Sequence, residues 1–193
     1  MATIILARHG KLQHPSWKPI PGSALAEWRE TGATAPLDPV SQPSLELRQL
    51  ADAVPVLVAS PLRRSLDSAC VLWPGKPPLV EPLIREVESR ASFATSLLLP
   101  AKLWSVAARV AWYTGSAPGA ESYPAARERA RVAVVRLATL AGEQDRVLVI
   151  GHGIMNGLIG ARLLRTGWQG PRLRQHRHWG FAIYRREAKP AKQ

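Results

Sequence analysis

The chain has 193 residues, of which 46% are hydrophobic and 21% are charged, so its length suits one well-buried domain and its composition is typical of a soluble globular protein. No apolar run approaches the roughly 20 residues that a membrane helix needs, and the apolar stretch at residues 3–7 is too short for a signal peptide. A single cysteine, Cys70, excludes an internal disulfide and favours a reducing compartment, so we expect a cytoplasmic protein.

The formal net charge of +12 raises the question of an anionic macromolecular partner. Residues 162–193 hold nine Lys or Arg against one acid, Glu187. A basic region of this kind attracts nucleic acids or acidic surfaces, but it is also common as a solvated face, and no RNA- or DNA-binding motif accompanies it. We therefore do not expect nucleic acid to be the partner.

Short apolar runs alternate with amphipathic segments in the first half of the chain. The pattern predicts a buried strand at 3–7, a short amphipathic segment at 24–30, a helix at 45–53 and a strand at 54–59. A helix follows, because Ser60 suits an N-cap and Pro61 suits the first helical position. Its predicted apolar face comprises Leu62, Leu66, Ala69, Cys70 and Trp73.

The second half of the chain continues the alternation. It is predicted to contain an extended segment at 79–87, helices at 101–113, 123–141 and 151–164, a strand at 146–150, a late edge strand at 180–184 and a flexible tail at 187–193. Strands alternating with helices over one domain's length predict an α/β fold with a mostly parallel, doubly wound sheet.

Ligands in such folds bind beyond the carboxyl ends of the strands, and three short polar segments lie at these predicted ends. They are Arg8-His9-Gly10, Ser60-Pro61-Leu62-Arg63-Arg64 and Gly151-His152-Gly153. Each alone has an ordinary interpretation as a packed or solvated group. Their coincidence at one sheet edge indicates a phosphate site.

Phosphate chemistry accounts for these residue types. Guanidinium groups grip phosphate oxygens bidentately, and helix N-termini add unpaired N–H groups. Glycines beside the histidines permit close approach, and a neutral imidazole can accept a phosphoryl group covalently. The sequence has no paired cysteines, no His-x-x-x-His, no aspartate cluster and no P-loop, so we expect neither a metal nor a cofactor.

The three segments, in this order and spacing, resemble the histidine phosphatase superfamily, which includes the cofactor-dependent phosphoglycerate mutases and many phosphatases. The resemblance extends to about residue 165 and implies a three-layer fold of the phosphoglycerate mutase type with helices on both faces of the sheet. It also implies a single domain over 1–186, with a helical cap insertion around 92–120, followed by a basic tail at 187–193.

The resemblance assigns roles by position. His9 matches the family's nucleophile, and Arg8 matches the adjacent phosphate ligand. His152 matches the histidine that binds phosphate and stabilises transition-state charge, with Gly153 beside it. Arg64 matches the fifth residue of the family's S-P-L-x-R motif, whereas helix geometry alone does not decide between Arg63 and Arg64.

In the family, the proton donor is an acid after the third strand, often within L-x-E. Ile84-Arg85-Glu86 resembles this motif. Glu86 is therefore the expected acid and base, with Glu88 and Glu81 as alternatives. Residues 119–123 resemble the family's G-E-S segment with one extra alanine. Glu121 within it either lines the pocket or caps the helix that follows.

The chain also departs from the family pattern. The family's E-T-x-W-N, whose asparagine helps to hold phosphate, is replaced by residues 11–15, which disfavours a mutase; His14 there suits a surface loop better than the pocket. Asp67 and Ser68 replace the usual Gln and Thr, with a small expected cost to the chemistry. The apolar and aromatic residues of 92–120 suit core packing better than a hydrophobic substrate group.

The predicted function is hydrolysis of a small phosphomonoester through a metal-independent phosphohistidine intermediate on His9. The alternatives are mutase-type phosphotransfer, dephosphorylation of protein phosphohistidine, and a non-catalytic phospholigand-binding module.

Overall fold

A five-stranded sheet forms the centre of the computed structural model, which describes residues 1–13, 18–87, 93–116, 121–172 and 177–187. The strands are β1 (Ala2–Arg8), β2 (Ile20–Pro21), β3 (Val56–Ala59), β4 (Leu79–Val80), β5 (Leu98–Leu99), β6 (Arg146–Gly151) and β7 (Phe181–Arg186). The central sheet has the order β4-β3-β6-β1-β7, and β2 pairs with β5 in a small separate sheet.

Four strands of the central sheet run parallel, and β7 lies antiparallel to β1 at one edge, so the predicted late edge strand is confirmed. Ala7 of β1 and Ala59 of β3 both lie level with Ile150 of β6. The carboxyl ends of β1, β3 and β6 therefore coincide. The three polar segments predicted to meet at one sheet edge do so.

Helices cover both faces of the sheet. They are α1 (Leu25–Thr34), α2 (Leu45–Asp52), α3 (Arg63–Leu72), α4 (Ala101–Tyr113), α5 (Tyr123–Gln144) and α6 (Gly153–Arg165). Alternate strand residues point to opposite faces, so Ile4 and Val149 pack in the core beneath α5 and α6, whereas Ile5 and Ile150 pack with α2 and α3. The predicted three-layer, mostly parallel α/β fold is confirmed.

A smaller apolar cluster joins α1 to α4, in the region of the predicted cap. It contains Leu25, Trp104 and Ala108; Phe93 stacks on Trp104 at 5.0 Å between ring centroids. The Trp104 Nε1–H donates to the Ile20 carbonyl (2.9 Å). These aromatic side chains are thus packing residues, while residues 92 and 117–120 of the predicted cap lie outside the described part of the chain.

The start of α3 differs from the prediction. Leu62 is the extended residue before the helix, which begins at Arg63, so Ser60 is not its N-cap and Pro61 is not its first residue. The Ser60 hydroxyl instead accepts the Leu62 N–H (3.3 Å) and contacts His152. The predicted apolar face was also partly wrong, because Cys70 is exposed and the small polar residues Ser65 and Ser68 are buried.

The prediction that residues 79–87 form one extended segment is wrong. After β4, a single 3-10 turn occupies Pro82–Ile84 and the Glu81 carboxylate caps it by accepting the Leu83 N–H (3.0 Å). His14, Glu88 and residues 188–193 of the predicted tail lie outside the described residues. Within the described ranges, no helix combines the length and the apolar character that a membrane crossing requires.

Candidate active site

The three strand ends bring two histidines and an arginine into contact. The imidazole rings of His9 and His152 lie 5.2 Å apart between centroids. Arg64, from the first turn of α3, donates its Nε–H to Nδ1 of His152 (3.3 Å). The backbone register enforces this meeting, since the His9 N–H donates to the Gly151 carbonyl at the end of β6 (3.1 Å).

His9 presents one nitrogen with a lone pair. Its Nδ1 lies 2.7 Å from the Gly10 carbonyl oxygen, which can only accept, so Nδ1 carries the proton and Nε2 does not. Burial lowers the pKa of His9 well below its ordinary value, and the positive charge of Arg64 lowers it further, against the opposing hydrogen bond to Gly10. The imidazole is therefore neutral near pH 7, with Nε2 nucleophilic.

His152 has the opposite tautomer. The Arg64 guanidinium can only donate, so Nδ1 of His152 accepts and Nε2 carries the proton, which it donates to the Ser60 hydroxyl (2.7 Å). Ser65 Oγ lies 3.3 Å from the same nitrogen. Burial and Arg64 again lower the pKa well below the ordinary histidine value, so His152 is neutral too.

The loop after β1 is held by packing and by Ser68. The Gly10 N–H donates to Ser68 Oγ (2.9 Å), whose own hydroxyl donates to the Arg64 carbonyl (2.6 Å). A Cβ at Gly10 would lie 2.5 Å from the Trp179 ring, so only glycine fits there. Ser68, whose presence in place of the family's threonine was expected to matter little, thus connects the loop that follows His9 to α3.

Arg8 and Arg64 share an environment with Glu86. Burial lowers the pKa of both arginines, and the Glu86 carboxylate opposes that shift in each, which places it near both. Arg63, by contrast, has 66% of its side chain exposed and pairs with Asp67 (3.5 Å) on the surface of α3. Of the two arginines that helix geometry left open, Arg64 faces the histidines.

The three acids considered as proton donors have different positions. Glu86 Oε1 accepts the N–H of Val87 (3.1 Å) and of Met155 in the first turn of α6 (3.2 Å). Glu81 is buried, caps the 3-10 turn and pairs with Arg136 (2.8 Å). Glu88 lies outside the described residues. Of Glu81 and Glu86, Glu86 is the one beside Arg8 and Arg64.

Glu121 does not cap the helix that follows it, contrary to one of its two predicted roles. Ser122 is the N-cap of α5 and accepts the Ala125 N–H (3.3 Å). Glu121 instead forms a bidentate pair with Arg129 (2.7 and 2.5 Å), and that hydrogen bonding lowers the pKa of its carboxyl.

A cavity of about 350 Å³ opens beside Arg8 and Glu86. Its remaining lining consists of Arg109, Tyr113, Tyr123, Gly153, Ile154, Gly157, Leu158 and Ala161. Of the predicted site residues, Arg8, Glu86 and Gly153 line it, whereas His9, Arg64 and His152 do not. The cavity therefore combines an acid and an arginine with basic and aromatic side chains of α4 and α5.

His178 is a neighbour of His9 that the sequence analysis missed. Its Nδ1 lies 3.2 Å from the His9 carbonyl oxygen, and its ring centroid lies 5.3 Å from that of His9. Burial lowers the pKa of His178, and Arg8 lowers it further. The available signal was the predicted strand at 180–184: if that strand pairs antiparallel with β1, the residues before it meet the end of β1.

The amino-acid sequence also matches the model of a known protein family. The model of the histidine phosphatase superfamily (branch 1) matches residues 4–190. The chain belongs to the histidine phosphatase superfamily. The predicted family is confirmed, and with it the prediction of an enzyme of the phosphatase class.

Solved structures similar to this histidine phosphatase show the same fold at low identity. The mycobacterial glucosyl-3-phosphoglycerate phosphatase is 22% identical with a TM-score of 0.58, over 85% of this chain and 80% of that one. Its complex with inorganic phosphate is 22% identical with a TM-score of 0.56 (86% and 80%). A mutant phosphoserine phosphatase from Entamoeba histolytica in complex with phosphoserine is 16% identical with a TM-score of 0.53 (86% and 81%). No curated protein matches the chain.

Proposed function

We propose that the protein hydrolyses small phosphomonoesters through a phosphohistidine intermediate on His9. The observation that carries the proposal is the contact of His9 Nδ1 with the Gly10 carbonyl, which leaves the Nε2 lone pair available for attack. The lowered pKa of His9 keeps that lone pair unprotonated at neutral pH. The mycobacterial relative was solved in complex with inorganic phosphate, which supports an oxyanion ligand in this fold.

In the first half-reaction, Arg8 and Arg64 hold the phosphate oxygens and Nε2 of His9 attacks phosphorus. A P–N bond forms as the P–O ester bond breaks, and the departing oxygen takes the electron pair of the ester bond. Glu86 gives its proton to that oxygen. Because Oε1 of Glu86 already accepts two backbone N–H groups, Oε2 is the oxygen that carries the proton.

In the second half-reaction, the Glu86 carboxylate takes a proton from water as the water oxygen attacks phosphorus. The P–N bond then breaks, its electron pair returns to Nε2 of His9, and inorganic phosphate leaves. His152 assists both steps: the negative charge of the phosphate favours its protonated form, whose Nδ1–H would replace the present acceptor contact with Arg64.

The cavity suggests what the organic part of the substrate carries. Arg109 and the rings of Tyr113 and Tyr123 also line it, which favours an ester with a second anionic group or a planar face. Two structural relatives are named for small phosphorylated molecules, glucosyl-3-phosphoglycerate and phosphoserine, which supports a substrate of that size.

The cytoplasmic location and the single domain over 1–186 with its cap stay predictions.

Turnover of p-nitrophenyl phosphate tests the proposal. The protein and its His9→Ala variant are assayed in metal-free buffer with a chelator and again with added divalent metal. We expect chelator-insensitive turnover by the natural protein and none above background by the variant. Equal turnover by the two proteins, or an absolute requirement for added metal, would overturn the mechanism.

A further inference from the structure

Two arginines of α5 grip the short segment that leads to Glu86. Arg129 and Arg136 are seven residues apart, which places them on the same side of the helix. Arg136 pairs with Glu81, at the start of the segment (2.8 Å). Arg129 donates from Nη1 to the carbonyls of Leu83 (2.7 Å) and Arg85 (2.9 Å), at its end.

Arg129 is itself held from the other side. Its Nε and Nη2 donate to the two oxygens of Glu121 (2.7 and 2.5 Å), and the two side chains are only 11% and 13% exposed. A forked pair of this geometry restrains the guanidinium plane more firmly than a single ion pair does. All three nitrogens of the group are engaged, so its position is fixed on both sides.

We infer that Arg129, anchored by Glu121, is a positioning residue that aims Glu86 at the leaving oxygen of the substrate. The Arg85 carbonyl belongs to the peptide that joins Arg85 to Glu86, so its hydrogen bond to Arg129 fixes the plane from which the Glu86 side chain departs. The Met155 N–H holds Oε1 of the same carboxyl from α6. This inference rests on the proposed role of Glu86 as acid and base.

The consequence is specific to proton transfer. A general acid contributes about 10²- to 10⁴-fold to rate, and displacement by about an ångström can remove much of this. An ester whose leaving group is a weak base, such as p-nitrophenyl phosphate, needs the acid little in the first half-reaction. Phenyl phosphate has nearly the same shape and a more basic leaving oxygen, so it needs the acid more.

The experiment measures kcat/KM, which reports phosphoenzyme formation, for both esters with Arg129→Met. In Arg129→Met, we expect kcat/KM for phenyl phosphate to fall at least about tenfold more than kcat/KM for p-nitrophenyl phosphate. Glu86→Gln should show the same selective loss. The double variant should lose no further selectivity, because the two residues act through one proton transfer. Circular dichroism confirms folding at the assay temperature.

Arg136→Met is the matched control, since it releases the same segment at the end remote from Glu86. It should lower kcat/KM equally for both esters or leave it unchanged. If Arg129→Met fails to fold, Glu121→Gln tests the anchor while leaving the arginine's carbonyl contacts in place, and a smaller selective loss is expected. Equal losses for the two esters in the folded variant, or a selective loss in Arg136→Met, overturns the inference. Failure of the proposed function is distinguishable, because the natural protein would then match His9→Ala on both esters.

Discussion

The carboxyl ends of β1 and β6 each carry a buried histidine followed by a glycine, yet the two ends treat their imidazoles differently. At β1, the Nδ1–H of His9 donates to the Gly10 carbonyl, which leaves a lone pair on Nε2. At β6, the Nε2–H of His152 donates to the Ser60 hydroxyl, and the lone pair on Nδ1 accepts from Arg64. We therefore expect the surrounding donors and acceptors, rather than the residue type, to decide which histidine attacks phosphorus and which stabilises charge.

The two glycines differ in the same way. Gly10 is pressed against Trp179, where a Cβ would lie 2.5 Å from the ring, whereas a Cβ on Gly153 would meet Arg8 at an ordinary 3.9 Å. The loop after β1 is thus tightly packed at Gly10. At the start of α6, Gly153 faces the cavity instead.

Removing each histidine gives the largest expected effects. His9→Ala loses the atom that accepts the phosphoryl group, so we expect kcat to fall about 10⁴-fold or more. His152→Ala loses charge stabilisation alone, so the expected fall is about 10²- to 10³-fold. Steady-state assays with p-nitrophenyl phosphate measure both, and equal losses would break the distinction between the two ends.

The adjacent arginines of α3 sharpen the comparison next. Arg64→Gln removes the guanidinium that faces both histidines, and kcat/KM should fall about 10²-fold. Arg63→Gln, the matched control, alters an exposed pair with Asp67 and should change kcat/KM by less than about twofold. A larger loss from Arg63→Gln would mean that the helix presents its other arginine to phosphate.

The glycines predict a difference in stability. Gly10→Ala should lower the free energy of unfolding by about 1–3 kcal/mol, because Trp179 must move. Gly153→Ala should change it by less than about 1 kcal/mol, since the site is open and helical. Urea denaturation of the two variants measures this, and equal values would contradict the packing difference.

The buried histidines also predict a pH dependence of stability. Both histidines have a folded-state pKa below the unfolded value, so the unfolded chain binds more protons once the pH falls below the ordinary histidine range. Their stabilising contribution is therefore present above about pH 6.5 and is lost on acidification, by up to about 1.4 kcal/mol per pH unit for each. His9→Gln and His152→Gln should each flatten this acid limb in urea titrations between pH 7.5 and 5.5; an unchanged slope would show that the histidine is not buried neutral.

Much of this site could be predicted from the sequence because parallel strands bring their carboxyl ends to one edge. Periodicity located β1, β3 and β6, and the residues directly after them, including His9 and His152, then had to converge. The 101–113 helix agrees with α4 for the same reason of regular local spacing.

What could not be predicted depends on contacts between distant segments. Ser60 resembled an N-cap locally, but its hydroxyl is taken by a histidine 92 residues away. His178 reaches His9 only because β7 runs antiparallel to β1, a direction that the apolar pattern of β7 does not encode. The hydrogen bonds of Arg129 to the carbonyls of Leu83 and Arg85 likewise join segments that are 46 and 44 residues apart in sequence.

The most direct test of the central account is the site of phosphorylation within the phosphoenzyme. The protein is mixed briefly with p-nitrophenyl phosphate, quenched in alkali to preserve phosphohistidine, digested, and analysed by mass spectrometry and by ³¹P NMR of the labelled peptide. The account predicts an acid-labile phosphate on Nε2 of His9, absent from His9→Ala. Phosphate on Nδ1, on another residue, or retained by the variant would contradict it.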